Sequence, residues 1–231
     1  MNLISYTLFG PRGKSAPAMY TVGAIRNAEI CADLYPGWLC RFHVGRGVDE
    51  ATLEKLRAMP NVDLWPMLDR PHTWEALLWR FFALHDDDAE AVMFRDCDSR
   101  PDGREKAAVD EWLESGRSFH IMRDHPAHTA PILAGLWGCT RAGAAKVSPL
   151  LGRGPSSFWF ADQVWLADYV YKVTIGDALI HDSAARFSDE TTHPFTVPRT
   201  ELPAGGWRFV GQGFDEHEQP RIPADALRVT P

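Results

Sequence analysis

Between residues 3 and 94 the chain alternates short apolar runs, suited to buried strands, with longer segments whose apolar residues recur at helical spacing, and this alternation restricts the fold more than any other feature. Leu3 to Phe9 reads as a strand closed by Gly10-Pro11-Arg12-Gly13, after which Ala24, Ala28, Cys31 and Leu34 mark a helical face ending near Tyr35-Pro36-Gly37. Trp38 to Val44 is the next strand, and Asp49 is placed to cap a short helix from Glu50 to Met59. Val62 to Met67 reads as a third strand. Trp74, Leu77, Leu78 and Phe81 then give the apolar face of a helix before the fourth strand, Ala89 to Phe94. Strands separated by helices require a parallel sheet, each helix serving as a right-handed crossover, and such sheets collect their ligands at the carboxyl ends of the strands.

The fourth strand runs directly into Arg95-Asp96-Cys97-Asp98-Ser99-Arg100. In extended backbone the side chains of residues i and i+2 project to one side, so Asp96 and Asp98 face the same way while Cys97 turns back. Two carboxylates at the tip of a strand suit a hard divalent cation, magnesium or manganese, and that cation in turn neutralises phosphate. The plain alternative is a solvated turn.

Beyond the motif, Arg104 to Ser115 reads as a helix with Val109, Trp112 and Leu113 on one face, and Ser118 to Arg123 as a strand. Ala134 to Cys139 carries glycines spaced for close backbone approach, and Arg141 to Pro149 reads as a short helix. Ser157 to Ala161 leads into a helix opened by Asp162-Gln163, and Ala178 to Ile180 is a late strand ending in His181-Asp182-Ser183. From His193 onward the chain is rich in Pro and Gly, with Trp207, Phe209, Phe214 and His217 in a tail that either folds over a site or wraps the surface.

A chain of 231 residues with 45% hydrophobic content has room for one sizeable core, so a single domain, residues 1–231, is expected, with 191–231 as a Pro/Gly-rich tail. The net charge of −7, from 24 basic against 31 acidic residues, excludes a protein that grips a nucleic acid polymer by massed phosphate neutralisation. Cys31, Cys40, Cys97 and Cys139 form no Cys-X-X-Cys pair, which argues against a zinc knuckle or a disulfide framework and for a reducing, cytoplasmic setting. No window approaches about 18 uninterrupted apolar residues, so no transmembrane segment is expected, while peripheral membrane contact stays compatible.

In this order and pattern the chain resembles the GT-A glycosyltransferases, which use nucleotide sugars. Three short motifs carry the resemblance: Asp96-Cys97-Asp98, Asp162-Gln163 and His181-Asp182. The Arg-Asp-X-Asp-Ser-Arg segment is also similar to one in small bacterial and viral glycosyltransferase-like proteins. The resemblance implies an α/β, Rossmann-like GT-A fold, a mostly parallel central sheet flanked by helices, with about residues 1–100 as a nucleotide-binding half and about 101–190 as the half for sugar and acceptor. It implies that Asp96 and Asp98 bind Mn2+ or Mg2+ bridging the diphosphate of a nucleoside-diphosphate sugar, with His181 as a third metal ligand. It also implies that Asp162 acts beside the reacting sugar: as general base for a glycan or other small acceptor in an inverting enzyme, or as an orienting carboxylate in a retaining one. The alternatives for Asp162 and His181 are a helix cap and a buried histidine.

For the donor, Tyr6, Thr7, Phe9, Arg26, Arg80, Arg95 and Arg100 are candidates, with the two motif arginines equally suited to structural ion pairs with Asp102 or Glu105. Gly135, Trp137, Gly138 and Gln163 are candidates for the sugar or acceptor wall. No Gly-X-Gly-X-X-Gly or P-loop pattern occurs, which sets aside dinucleotide oxidoreductases and P-loop kinases. Two other readings compete: a metal-dependent phosphohydrolase built on His125, His128 and His181-Asp182, and a catalytically idle protein that binds a nucleotide sugar.

Overall fold

The computed structural model describes residues 1–70, 73–153, 160–185, 187–203 and 205–221, without the side chain of Trp74. Ser157, Phe158 and Trp159, expected to lead into a helix, and the end of the tail after residue 221 lie outside the described residues.

The described residues form one sheet of eight strands: β1 (Asn2–Leu8), β2 (Trp38–Val44), β3 (Val62–Pro66), β4 (Ala91–Phe94), β5 (Phe119–Arg123), β6 (Trp137–Thr140), β7 (Ala178–Asp182) and β8 (Thr192–His193). Their spatial order is β3-β2-β1-β4-β6-β5-β7-β8. β1 pairs in parallel with both β2 and β4, so the first four strands have the order of a doubly wound α/β sheet. β6 runs antiparallel between β4 and β5. The Ala134–Cys139 stretch is therefore partly a strand, and its Gly138 is where β6 passes closest to its neighbours: a Cβ there would stand 2.9 Å from the Val92 carbonyl oxygen and 3.3 Å from the Trp112 ring.

Helices cover both faces. α1 (Ala18–Leu34), α2 (Glu50–Arg57) and α3 (Gly103–Ser115) cover one, packing Ala24, Ala28, Leu56, Val109 and Trp112 against Tyr6, Phe42 and Met93. Period-two alternation sends Val92 and Phe94 to the other face, where they meet Phe81, Phe119, Trp137, Trp165 and Ile180. α4 (Arg141–Val147) and the segment α5 (Ala161–Trp165), a π turn (Leu166–Val170) and α6 (Tyr171–Thr174) complete that layer. The Asp49 cap falls where the sequence places it, its carboxylate accepting from Thr52 N at 2.9 Å, and Asp102, not singled out as a cap, accepts from Glu105 N at 2.9 Å.

One helix departs from expectation. Trp74–His85 is a 3₁₀ helix, and β1 supplies a physical reason at its middle: Arg80 N donates to Thr7 Oγ1 at 3.0 Å and Arg80 O accepts from Ser5 Oγ at 2.7 Å. Side chains of the neighbouring strand thus take main-chain groups that a regular α-helix would engage internally. The consequence is positional, since Arg80 is held against β1 with its side chain directed to the tips of β1 and β4.

Candidate functional site

A cavity of about 480 Å³ opens at those tips, a volume suited to a small organic ligand. Its walls come from the β1 loop (Thr7, Phe9, Pro11), α1 (Pro17 before it, Tyr20 within it), Arg80, the β4 loop (Asp96 to Ser99), the loop before β6 (His128, Leu133 to Leu136), the start of α5 (Phe160, Asp162, Gln163) and the tail (Gly211, Arg221).

The β4 loop is a turn from Asp96 to Ser99 and not the extended backbone expected, yet it still presents both acids on one side. Cys97 is buried, its Sγ donating to Thr7 O at 3.4 Å, while Asp96 and Asp98 both face the cavity. Ser99 N and Oγ donate to Asp96 O at 3.3 and 3.0 Å, which closes the turn, and Asn27 of α1 reaches the carbonyls of Asp96 and Cys97. This backbone is pinned from both sides, so the carboxylates are presented by a rigid support.

Arg80 joins the acids into one constellation. Its guanidinium is ion-paired with Asp96 and lies 3.9 Å from Asp162 Oδ2, and it also donates to Arg95 O at 3.3 Å. Burial works against its charge, but Asp96 and Asp162 outweigh that and hold it firmly protonated. Asp98 pairs instead with Arg221 of the tail, Nη1 to Oδ2 at 2.6 Å. Burial and then the neighbouring Asp96 push the Asp98 carboxyl above its usual range, and Arg221 opposes them. Asp162 is likewise raised, by burial first, with Arg80 opposing and Asp96 adding. Asp162 sits in the first turn of α5, whose cap residue is Phe160. Its Oδ1 accepts from Gln163 N at 2.9 Å, and its other oxygen faces Arg80.

Gly135 lies against Asp96, and Gln163 fixes the same loop by accepting from Ala134 N at 2.6 Å. His128 Nδ1 accepts from Asp124 N at 3.0 Å, and burial, then the adjacent His125, lower its pKa to about 4. Its neutral ring therefore carries the proton on Nε2 and acts as a hydrogen-bond donor.

Of the residues singled out in the sequence, Thr7, Phe9, Arg80, Asp96, Asp98, Gly135, Asp162 and Gln163 meet around this cavity. Seven others lie elsewhere, each for a physical reason. Tyr6 is fully buried, stacked on Phe42 at 4.8 Å. Arg26 is exposed on α1 and paired with Glu29 at 2.5 Å. Arg95 is buried against Glu105 at 2.8 Å and the carbonyls of Phe94 and Trp137. Arg100 is buried against Glu218 at 2.8 Å and the carbonyls of Cys97 and Ser99. Trp137 fills the core beside Phe94 at 4.4 Å, and Gly138 lies within β6.

His181 is the larger correction. It is buried on β7, Nδ1 at 2.9 Å from His120 Nε2 and Nε2 at 3.1 Å from Glu111 Oε2, so both ring nitrogens are engaged away from the cavity. Among the described residues no cluster of three or more His, Cys, Asp or Glu side chains is arranged to hold a metal.

Sequence reasoning missed Arg221, Tyr20 and Phe160, and considered His128 only in the phosphohydrolase reading. Arg221 had no local signal, because its place depends on the path of the whole tail. Phe160 had none either: the structure alone shows it 59% exposed at the cavity with φ 73°, a backbone state that a β-carbon disfavours.

No protein-family model matches the chain, and no curated protein matches it. Among solved structures, the galactosyltransferase LgtC, determined in complex with donor and acceptor sugar analogues, is 15% identical with a TM-score of 0.50, over 100% of this chain and 98% of that one. TarS residues 1–349 of S. aureus are 12% identical with a TM-score of 0.52, over 84% of this chain and 60% of that fragment. The chain thus shares the GT-A fold of these structures. No helix among the described residues is long and apolar enough to cross a membrane.

Proposed function

We propose that the protein is a metal-dependent glycosyltransferase that moves a sugar from a nucleoside-diphosphate sugar to a glycan or other small hydroxyl acceptor. The observation that carries this reading is the convergence of Asp96, Asp98 and Asp162 on one cavity at the carboxyl ends of β1 and β4 in a GT-A fold.

The donor set fits a divalent cation. Mg2+ and Mn2+ commonly take one or two protein carboxylates and complete their shell with phosphate oxygens and water, and two carboxylates, Asp96 and Asp98, are what the chain presents. Charge balance supports the same conclusion. Three carboxylates against two guanidiniums leave the lining one negative charge in excess, and a diphosphate donor would add two more. A dication arriving with the donor restores the starting balance. When bound, such an ion supplies Lewis-acid stabilisation of the negative charge that grows on the departing diphosphate.

The chain's own residues do the rest. Arg80 fixes Asp96 and faces Asp162, so the two acids keep a set separation. Asp162, with its carboxyl raised by burial, is suited to accept the proton of an acceptor hydroxyl or to orient the transferred sugar. Tyr20, raised to about 12 by burial, then Asp98 and Asp96, remains a phenol able to donate to a phosphate or ribose. Phe9 and Thr7 offer the β1 loop to the nucleoside. The four cysteines are free and buried, consistent with action in the cytoplasm. A phosphohydrolase is disfavoured, because His125 and His128 both use Nδ1 to accept main-chain N–H groups at 3.0 Å and His181 faces away.

The test is donor binding. Individual nucleotide sugars with Mn2+ should raise the melting temperature of the wild type and not that of Asp98→Ala. Metal-dependent stabilisation that survives this substitution removes the assignment, and tight nucleotide binding without transfer or donor hydrolysis across a broad acceptor panel marks an idle binding protein.

A further inference from the structure

The acids of the β4 loop are paired with two arginines of very different character. The Arg80 side chain is 5% exposed and engaged by the carbonyls of Leu77 and Arg95 and by two carboxylates. The Arg221 side chain is 44% exposed, and a carboxylate oxygen of Asp98 is its ion-pair partner. The first is built in; the second is a half-exposed arm that reaches Asp98 from the tail.

The backbone that delivers Arg221 is nevertheless well anchored. Phe214 N donates to Asp98 O at 2.7 Å, Gly213 bridges to Ser99, and Arg221 N donates to Gly213 O at 3.0 Å. Arg208 reaches Asp102 at 3.2 Å and the Arg100 carbonyl at 2.7 Å, and Glu218 pairs with Arg100 at 2.8 Å. The tail therefore forms one wall of the cavity, with Arg221 as its cationic tip. Among the described residues, the ion-pair partner of Arg221 is Asp98, the carboxylate that a divalent cation would also seek.

A guanidinium and a dication on one carboxylate repel each other, so each weakens the other's hold on Asp98. We propose that Arg221 is a phosphate-binding residue that Asp98 holds in reserve: a divalent cation displaces its guanidinium from Asp98, and the freed group rotates within the cavity onto the diphosphate. Guanidinium matches phosphate oxygens through paired N–H donors, which makes it the better ligand for the incoming diphosphate than for a carboxylate already claimed by metal. The inference rests on the reading of the cavity as a site for metal and nucleoside diphosphate, and it adds a residue to that site together with an order of events. In the donor-free protein Arg221 competes with the metal; in the loaded protein it cooperates with it.

The test uses the full chain as wild type, Arg221→Ala and Arg221→Lys, with two probes: Mn2+ alone, followed by paramagnetic resonance of the free ion, and whichever of UDP, GDP, ADP or dTDP the wild type binds tightest, titrated at saturating Mn2+. For Arg221→Ala, Mn2+ alone should bind about fivefold tighter and the nucleoside diphosphate about tenfold weaker, and Arg221→Lys should fall between on both scales. A substitution that merely loosened the tail would move both affinities the same way. Wild-type-like binding of both probes by Arg221→Ala, or a shift of both in one direction, overturns the role of Arg221 while leaving the proposed site standing. A wild type that binds neither Mn2+ nor any of the nucleoside diphosphates overturns the site itself, and the role of Arg221 with it.

Discussion

Gly135 packs directly against Asp96: a Cβ on Gly135 would overlap the carboxylate oxygen Oδ2 and stand 2.8 Å from Cγ and 3.2 Å from the Asp96 nitrogen. The loop before β6 thus forms a floor under the first acid of the motif, and only a residue without a side chain leaves room for the carboxylate to meet Arg80. Gly135→Ala is expected to fold, because the clash is with a side chain that is 44% exposed and able to turn away. Mn2+ affinity should nevertheless fall about tenfold, the scale set by displacing one supporting interaction of a metal ligand. Circular dichroism and Mn2+ titration on the same sample check both halves.

Arg80 is the shared partner of Asp96 and Asp162, so removing it should disturb two roles at once. Arg80→Met leaves the acids facing each other without a guanidinium between them, and transfer should fall by about 100-fold, the loss typical of one preorganised electrostatic group in an active site. Arg80→Lys keeps the charge but not the forked geometry and should recover only part of the rate. If the Met variant kept wild-type transfer, the constellation would have no catalytic meaning.

Arg95 and Glu105 make a buried pair at 2.8 Å, with side chains 2% and 3% exposed, and neither lines the cavity. Arg95→Met should destabilise the protein by about 3–5 kcal/mol, because it strands a carboxylate in the core. Denaturant unfolding measures the loss. Arg95→Met with Glu105→Gln should recover much of it, since the double variant leaves no lone charge behind.

These residues also mark what the sequence makes legible. The strands of the first half and the Asp49 cap follow from local rules of period and capping, and those rules act over a few residues. The paired display of Asp96 and Asp98 was legible too, although a turn and not strand alternation produces it. The fate of each arginine does not. Arg80, Arg95 and Arg100 are equally cationic in the sequence, but Glu105 on α3 claims one, Glu218 in the tail claims another, and Asp162 helps hold the third. Partners 10 to 118 residues away decide the matter, and local pattern carries no information about them. Trp137 was misplaced for a related reason: an aromatic beside glycines suits a ligand wall, yet in β6 its side chain faces Phe94 and Phe81 in the core.

His181 gives a direct check on the metal ligands. His181→Asn should lower stability, since it breaks contacts to His120 and Glu111 in a buried network, and should leave Mn2+ affinity unchanged. A large loss of Mn2+ binding with native circular dichroism would restore the histidine to the metal site.

Acid titration should separate the site from the scaffold, because the two sets of carboxylates shift in opposite directions. Asp98 and Asp162 have their carboxyls raised, burial being the largest cause in each case. The folded protein keeps these protons to a higher pH than the unfolded chain does, so their contribution to stability is full at low pH and is lost as pH rises through the folded values. Asp124 is the reverse: burial alone would raise it, but hydrogen bonds from Arg104, Ser183 and Val210 N prevail and lower it. Its contribution is present above the ordinary carboxylate value of 3.8 and is lost as pH falls. Asp162→Asn should therefore raise the melting temperature at neutral pH while abolishing transfer, and Asp124→Asn should lower it. Protons also compete with metal for Asp98, so as pH falls Mn2+ affinity should begin to weaken at a higher pH than an unperturbed carboxylate would allow. Melting curves of the three proteins from neutral to acid pH, with Mn2+ titrations of the wild type alongside, measure each trend. A Mn2+ affinity that weakens only where an ordinary carboxylate titrates would mean that the ion does not rest on Asp98.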